Sequence, residues 1–208
     1  MLPPPPAGSA PSGRGGRPRD PSRDAAIRAA TLKVLADSGY AGLTMDAVTA
    51  EAGVGKATIY RRWRTRSQLV ADAVSSLGAD LGVPPDTGSL AEDLRILLHW
   101  MVAAVNGPLG AATLSLLSAF PHEPELREAF QQGPMGYWST SFRTVWAQAE
   151  ERGEVRPGVV DTAVASSASA PILQRWLFSD QPVDHAYADE VLTDVVLPLV
   201  QAGCAVGH

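Results

Sequence analysis

The sequence predicts an all-α protein, with an amino-terminal helix-turn-helix unit of three helices followed by a larger helical domain. Three observations carry this. Apolar residues recur at three- and four-residue spacing along most of the chain, and no segment shows the alternation of a half-buried strand. Gly and Pro pairs at Gly107-Pro108 and Gly133-Pro134, with Glu123-Pro124 between them, cut the second half into helix-length pieces. The run from Leu43 to Trp63 holds two short helices around a glycine turn.

Residues 1–21 are rich in Pro, Gly, Ser and Arg and offer little to bury, so a disordered arm is expected. Within it, Gly13-Arg14-Gly15-Gly16-Arg17-Pro18-Arg19 resembles the Arg-Pro core of an AT-hook, a minor-groove segment. A flexible soluble leader is the simpler reading. A first helix is predicted over 22–38, with Ile27, Ala30, Thr31, Val34 and Leu35 inward and Gly39 as its stop.

Thr44 is placed as the N-cap of the second helix, because its hydroxyl can accept from a free N–H of the first turn. Gly53 supplies the left-handed residue that ends it. The third helix is expected from Lys56 to Trp63, with Ile59 and Trp63 facing Val48 and Ala52. Lys56, Ala57, Thr58, Tyr60, Arg61 and Arg62 are then left to meet a partner. Cations and hydrogen-bonding groups on the second helix of such a pair suit a DNA major groove.

A fourth helix is expected from Thr65 to Leu81, and Gly82–Gly88, with Pro84-Pro85, is the clearest boundary. Beyond it the expected helices are 89–106, 108–120, 124–132, 134–153, 160–178 and 183–202. The first of these is apolar nearly all round, which predicts burial in mid-domain. The run Ala163–Ala170 is made of small residues that let another helix approach closely. Ala188, Val191, Leu192, Val195, Val196, Leu199 and Val200 form a stripe too wide for one small core, so a second chain is the expected partner.

The stretch from Ser22 to about Leu69 resembles the DNA-binding domain of TetR-family transcriptional regulators. Ile27, Ala30, Leu35, Gly39-Tyr40, Leu43-Thr44, Val48, Ala52-Gly53-Val54, Thr58-Ile59-Tyr60, Trp63 and Ser67 carry the likeness. One departure is Arg66, where the family usually has Lys. The resemblance implies domains at 22–68, for DNA binding, and 69–208, for effector binding and dimerisation through the last two helices. It also implies a repressor released from its operator by a small apolar or aromatic ligand. An activator, or a constitutive DNA-binding dimer without effector, is the alternative. The expected DNA-binding residues are Thr44, Lys56, Ala57, Thr58, Tyr60, Arg61, Arg62 and Arg66, with Tyr60 and Arg66 on phosphates. The expected ligand-binding residues are Trp100, Met101, Phe120, Trp138, Phe142 and Trp146, an aromatic and Met set on the central helices.

Charge agrees with that division. The chain is −5 overall, yet the first 70 residues carry 11 cations against 5 acids and the remainder 6 against 17. A basic head on an acidic body is expected where one end meets phosphate. The hydrophobic fraction of 45% suffices for a core. His99, His122, His185 and His208 show no metal-ligand spacing, and Cys204 is the single cysteine. Neither cofactor, metal, catalytic set nor membrane span is expected, and the cytoplasm is the expected location.

Overall fold

The computed structural model describes residues 21–78 and 82–205, and among them every regular element is helical. The predicted disordered arm, its AT-hook-like segment included, lies outside the described residues except for Pro21. Helix α1 (Pro21–Gly42) leaves helical geometry at Gly39, whose φ of 67° and ψ of 173° make the predicted stop, and one further turn follows. Helices α2 (Met45–Ala52), α3 (Lys56–Tyr60) and α4 (Arg66–Ser75) complete the head, with a short 3-10 turn at Ser76–Gly78. Helix α3 ends at Tyr60, not at Trp63. The N–H groups of Arg62 and Trp63 both turn back to the Ile59 carbonyl, closing the helix while the Trp63 ring reaches the core.

The second half runs through α5 (Leu90–Asn106), α6 (Pro108–Leu117), α7 (Pro124–Gln132) and α8 (Pro134–Glu151). Each of the last three takes a proline in its first turn, where a missing N–H costs no intrahelical bond. Helix α5 is central, but its surface is not closed all round. Leu94, Leu97, Leu98 and Met101 are buried, whereas Trp100 stands at the edge and is 37% exposed. Its first turn is fixed by the buried Asp93, which accepts from the N–H and hydroxyl of Thr87 at 2.7 and 2.8 Å and from Arg152 at 3.3 Å. Hydrogen bonding to Glu154 holds the Arg152 guanidinium above its ordinary pKa.

The last two expected helices are each interrupted. In place of one helix over 160–178 there are a 3-10 turn (Val159–Asp161), α9 (Ala163–Ser166) and α10 (Ala170–Phe178). Pro171 has no N–H to offer the Ser167 carbonyl, and the Ser167 hydroxyl donates to the Val164 carbonyl at 2.7 Å. The final stretch joins α11 (His185–Glu190), a π-helical segment (Val191–Val196) and α12 (Leu197–Ala205). Pro198 likewise lacks the N–H that would hold an α-helical register across that join.

Two hydrophobic cores result. One joins α5, α8, α10 and the π-helical segment through Leu97, Trp146, Ile172 and Leu192. The other joins the head to α6 and α7: Ile27, Leu35, Val48, Ile59, Trp63, Leu69 and Val74 pack with Ala112, Leu116 and Leu126. Helices α5 and α6 meet at a 65° bend. That corner requires Gly110, because a Cβ there would lie 1.9 Å from the Val105 carbonyl oxygen. No single helix among the described residues is long and apolar enough to cross a membrane.

Gly110→Ala must open this corner against backbone, a strain of about 1–3 kcal/mol or more. The expected result in thermal denaturation is a Tm several degrees lower. Gly55→Ala, into open space at a φ of −74°, is expected to change it little.

Candidate functional site

The turn between α2 and α3 is built by its ends. The Thr44 hydroxyl accepts from the Ala47 N–H at 3.1 Å, capping α2. Gly53 closes the helix at φ 62° and ψ 32°, and the Val54 N–H returns to the Thr49 carbonyl at 3.3 Å. Ile59 and Trp63 are buried, which fixes the roll of α3. Lys56, Ala57, Tyr60 and Arg61 then lie exposed on one surface, with Thr58 half-buried among them.

The remaining expected contacts are directed elsewhere. Arg62 forms an ion pair with Asp24 of α1, and its side chain is only 18% exposed. Arg66 donates to the carbonyls of Tyr40 at 3.2 Å and Leu43 at 3.4 Å, with its guanidinium 4.1 Å over the Tyr40 ring. Both residues brace the head from within, and Thr44 is occupied as a cap. Lys56 is exposed, but its ammonium holds Asp46 at 2.8 Å, and that bond raises its pKa. Arg64 is exposed next to this surface and has no carboxylate partner among the described residues; its place in the basic run Arg61-Arg62-Trp63-Arg64 was the available signal.

A polar cluster ties the head to the rest. Glu123, at the start of α7, accepts from the Tyr40 hydroxyl at 2.9 Å and the Ser67 hydroxyl at 2.7 Å. Hydrogen bonding to Ser67 and then Tyr40, with Arg66 nearby, holds its carboxyl below the ordinary value of 4.5. No local pattern announces this cluster, since its members are 27 and 56 residues apart.

Behind the head, two adjoining spaces open between α5, α6, α8 and α10. The smaller, about 60 Å³, is walled by Met101, Val105, Leu109, Gly110, Trp138 and Trp176 among others. Its Thr113 hydroxyl is turned back to the Leu109 carbonyl at 2.8 Å, leaving the lining apolar. The larger, about 230 Å³, adds Phe142, Arg143, Trp146, Ser166 and Ser169. Met101, Met135, Trp138 and Leu173 line both.

Of the six expected ligand-binding residues, Met101, Trp138, Phe142 and Trp146 are therefore together. Trp100 and Phe120 are not. Trp100 sits on the outer side of α5 near Gly82, and Phe120 packs on Phe130 at 5.3 Å beside the core of the head. The small residues over 163–170 serve this cavity and its core: Ala165, Ser166 and Ser169 line it, and Ala168 is fully buried.

Glu123 yields a prediction of definite sign. Its pKa in the folded chain lies below the ordinary value, so its stabilisation is complete above about 4.5 and is lost as pH falls through the folded value. Urea unfolding of the wild type and Glu123→Gln, stepped from neutral into acid, should show a gap at neutral pH that closes in acid. A gap independent of pH would contradict this.

Comparison with known proteins agrees with this architecture. Residues 27–73 match the bacterial regulatory proteins of the tetR family, and residues 84–195 the tetracyclin repressor-like C-terminal domain. The chain is similar to an HTH-type transcriptional regulator of Mycobacterium tuberculosis, 29% identical over 186 residues, which is 88% of this chain and 92% of the relative. It is also similar to a DNA-binding transcriptional repressor TetR of Mycobacteroides abscessus, 29% identical over 187 residues, 89% of this chain and 97% of the relative. Among solved structures, the Bacillus subtilis regulator FadR in complex with stearoyl-CoA shares the fold. Its TM-score is 0.66 at 18% identity, covering 83% of this chain and 97% of that one. These relatives are transcriptional regulators, not enzymes. The chain belongs to the TetR family of helix-turn-helix, DNA-binding transcriptional regulators.

Proposed function

We propose that this regulator is a homodimeric repressor that leaves its operator when a small, largely apolar ligand enters the cavity. One observation carries the reading. Helix α6 has Leu109, Gly110 and Thr113 on the cavity and Ala112 and Leu116 in the core of the head. A ligand that displaces α6 moves a helix the head is packed on, and a differential affinity of ~1.4 kcal/mol between two head positions changes operator affinity tenfold. The similarity to a Mycobacteroides abscessus repressor and to FadR with its bound stearoyl-CoA supports the two halves of this reading.

In this reading residues 22–68 form the DNA-binding domain and 69–208 the effector and dimer domain, with α4 as their shared wall. Lys56, Ala57, Thr58, Tyr60 and Arg61 face the major groove. Arg62 and Arg66 position that surface through Asp24 and the Tyr40 carbonyl. For the dimer, the stripe on the last helix divides. Val191, Leu192 and Val196 are buried within the chain, whereas Val195 and Leu199 stay 38% and 41% exposed, and Phe178 80%. The exposed set supports pairing through the last two helices.

Footprinting with and without apolar ligands tests the whole reading; protection unchanged by every ligand would favour the effector-free alternative. Lys56→Ala is expected to weaken operator binding about tenfold or more in gel-shift titrations while the sedimentation mass stays the same. Val195→Glu, at an exposed position, should fold and sediment as a monomer. A wild-type mass equal to the 21.9 kDa chain at micromolar concentration would exclude the dimer. Leu173→Trp, on the wall shared by both spaces, should lower ligand affinity and leave operator affinity unchanged.

A further inference from the structure

Residues 14–19, Arg-Gly-Gly-Arg-Pro-Arg, carry three guanidinium groups and precede the described residues, which begin at Pro21. The place where the fold takes up the chain decides what they can reach. Asp24, in the first turn of α1, is ion-paired with Arg62, two residues beyond the end of α3. The start of α1 is therefore held against the end of the helix that presents Lys56, Tyr60 and Arg61. Arg23 on one side of this pair, and Arg61 and Arg64 on the other, are exposed. Pro21 is about 5 Å from Asp24 along the helix axis. From Pro21 back to Arg14, the chain can span up to about 24 Å. In a duplex, the neighbouring minor groove lies half a turn, about 17 Å, from the major groove proposed for α3.

The residue types suit that groove. A narrow A·T-rich minor groove has a deepened negative potential that attracts Arg. Gly15 and Gly16 have no side chain to hold the backbone off the groove floor, and Pro18 biases Arg17 toward an extended backbone. We propose, resting on the placement of α3 in the major groove, that Arg14, Arg17 and Arg19 enter the adjoining minor groove. There they select A·T pairs beside the sequence that α3 reads. From Arg14 to Arg19 the chain covers up to about 17 Å, or about five base pairs. The guanine N2 amine projects into this groove, so G·C pairs obstruct the arm.

The test uses the full-length protein and a duplex that it selects from random DNA. The selected core is rebuilt with A·T, G·C or inosine·cytosine pairs on both flanks. Inosine keeps the major-groove face of guanine and lacks the N2 amine, so the third duplex offers an A·T-like minor groove. Gel-shift titration is expected to give equal affinities for A·T and inosine·cytosine flanks, about tenfold or more above G·C flanks. The full-length triple variant Arg14→Ala, Arg17→Ala, Arg19→Ala should bind all three duplexes alike, at the G·C level or below, with Tm unchanged. A wild type indifferent to its flanks, a variant that keeps the preference, or inosine·cytosine flanks that behave as G·C would each overturn the proposal. Lys56→Ala reports α3 separately and should weaken binding to all three duplexes by one factor. No effect of Lys56→Ala beside an intact flank preference would overturn the placement of α3 and leave the minor-groove contact standing. Failure to select any core would overturn both.

Discussion

Where α6 is held decides most of this fold. The helix is too short to have a core of its own and is shared between two, with the cavity wall on one face and the underside of the DNA-binding head on the other. Interiors are packed as densely as organic crystals, so a helix lodged in two cores cannot shift in one without disturbing the other. Its start is fixed by the missing side chain of Gly110 against the Val105 carbonyl. The consequence is a head that does not hang from a linker but stands on α6 and α7.

Helix α7 completes that support. At its start Glu123 is bonded to Ser67, near the beginning of α4; at its end a Cβ on Gly133 would lie 2.9 Å from the Ser75 backbone. The two helices therefore run side by side in the same direction, joined by a polar contact at one end and a close backbone approach at the other. The polar end has a definite geometry, two hydroxyls on one carboxylate, which favours discrete arrangements over gradual sliding. Under the proposed function, that is the property a two-state switch needs.

The parts legible in the sequence are those where local chemistry decides. Thr44, Gly39 and Gly53 set helix ends by their own side chain or φ, and each acts where the pattern puts it. Ile59 and Trp63 announce their burial by spacing. Illegible were the choices made between distant segments. Arg62 and Arg66 read as exposed cations because nothing local shows that Asp24 or the Tyr40 carbonyl will stand opposite. Phe120 and Trp100 have the composition of cavity residues, but Trp100 lies on the outer face of α5 and Phe120 in the turn after α6; which face a helix turns to a cavity, and where it stops, are tertiary facts. The interruptions at Pro171 and Pro198 were visible as prolines; what periodicity outweighed was their effect on the backbone ladder.

The same internal pairing bears on how the head meets DNA. Counting residues gives a strongly basic first third, but Lys33 lies 2.9 Å from Glu51, Lys56 is paired with Asp46, and Arg28 and Arg62 with Asp72 and Asp24. Asp46 also sits in the first turn of α2, where the helix dipole favours an anion. A phosphate approaching α3 thus competes with Asp46 for Lys56, while Arg61 and Arg64 have no carboxylate to give up among the described residues. Salt dependence reports cations newly neutralised by phosphate, not cations present. In the proposed interface, then, Arg61 and Arg64 supply the nonspecific pull. Lys56 is released to the groove only when an acceptor there outcompetes a carboxylate already at 2.8 Å, which makes its contribution selective for the right base edge or phosphate geometry.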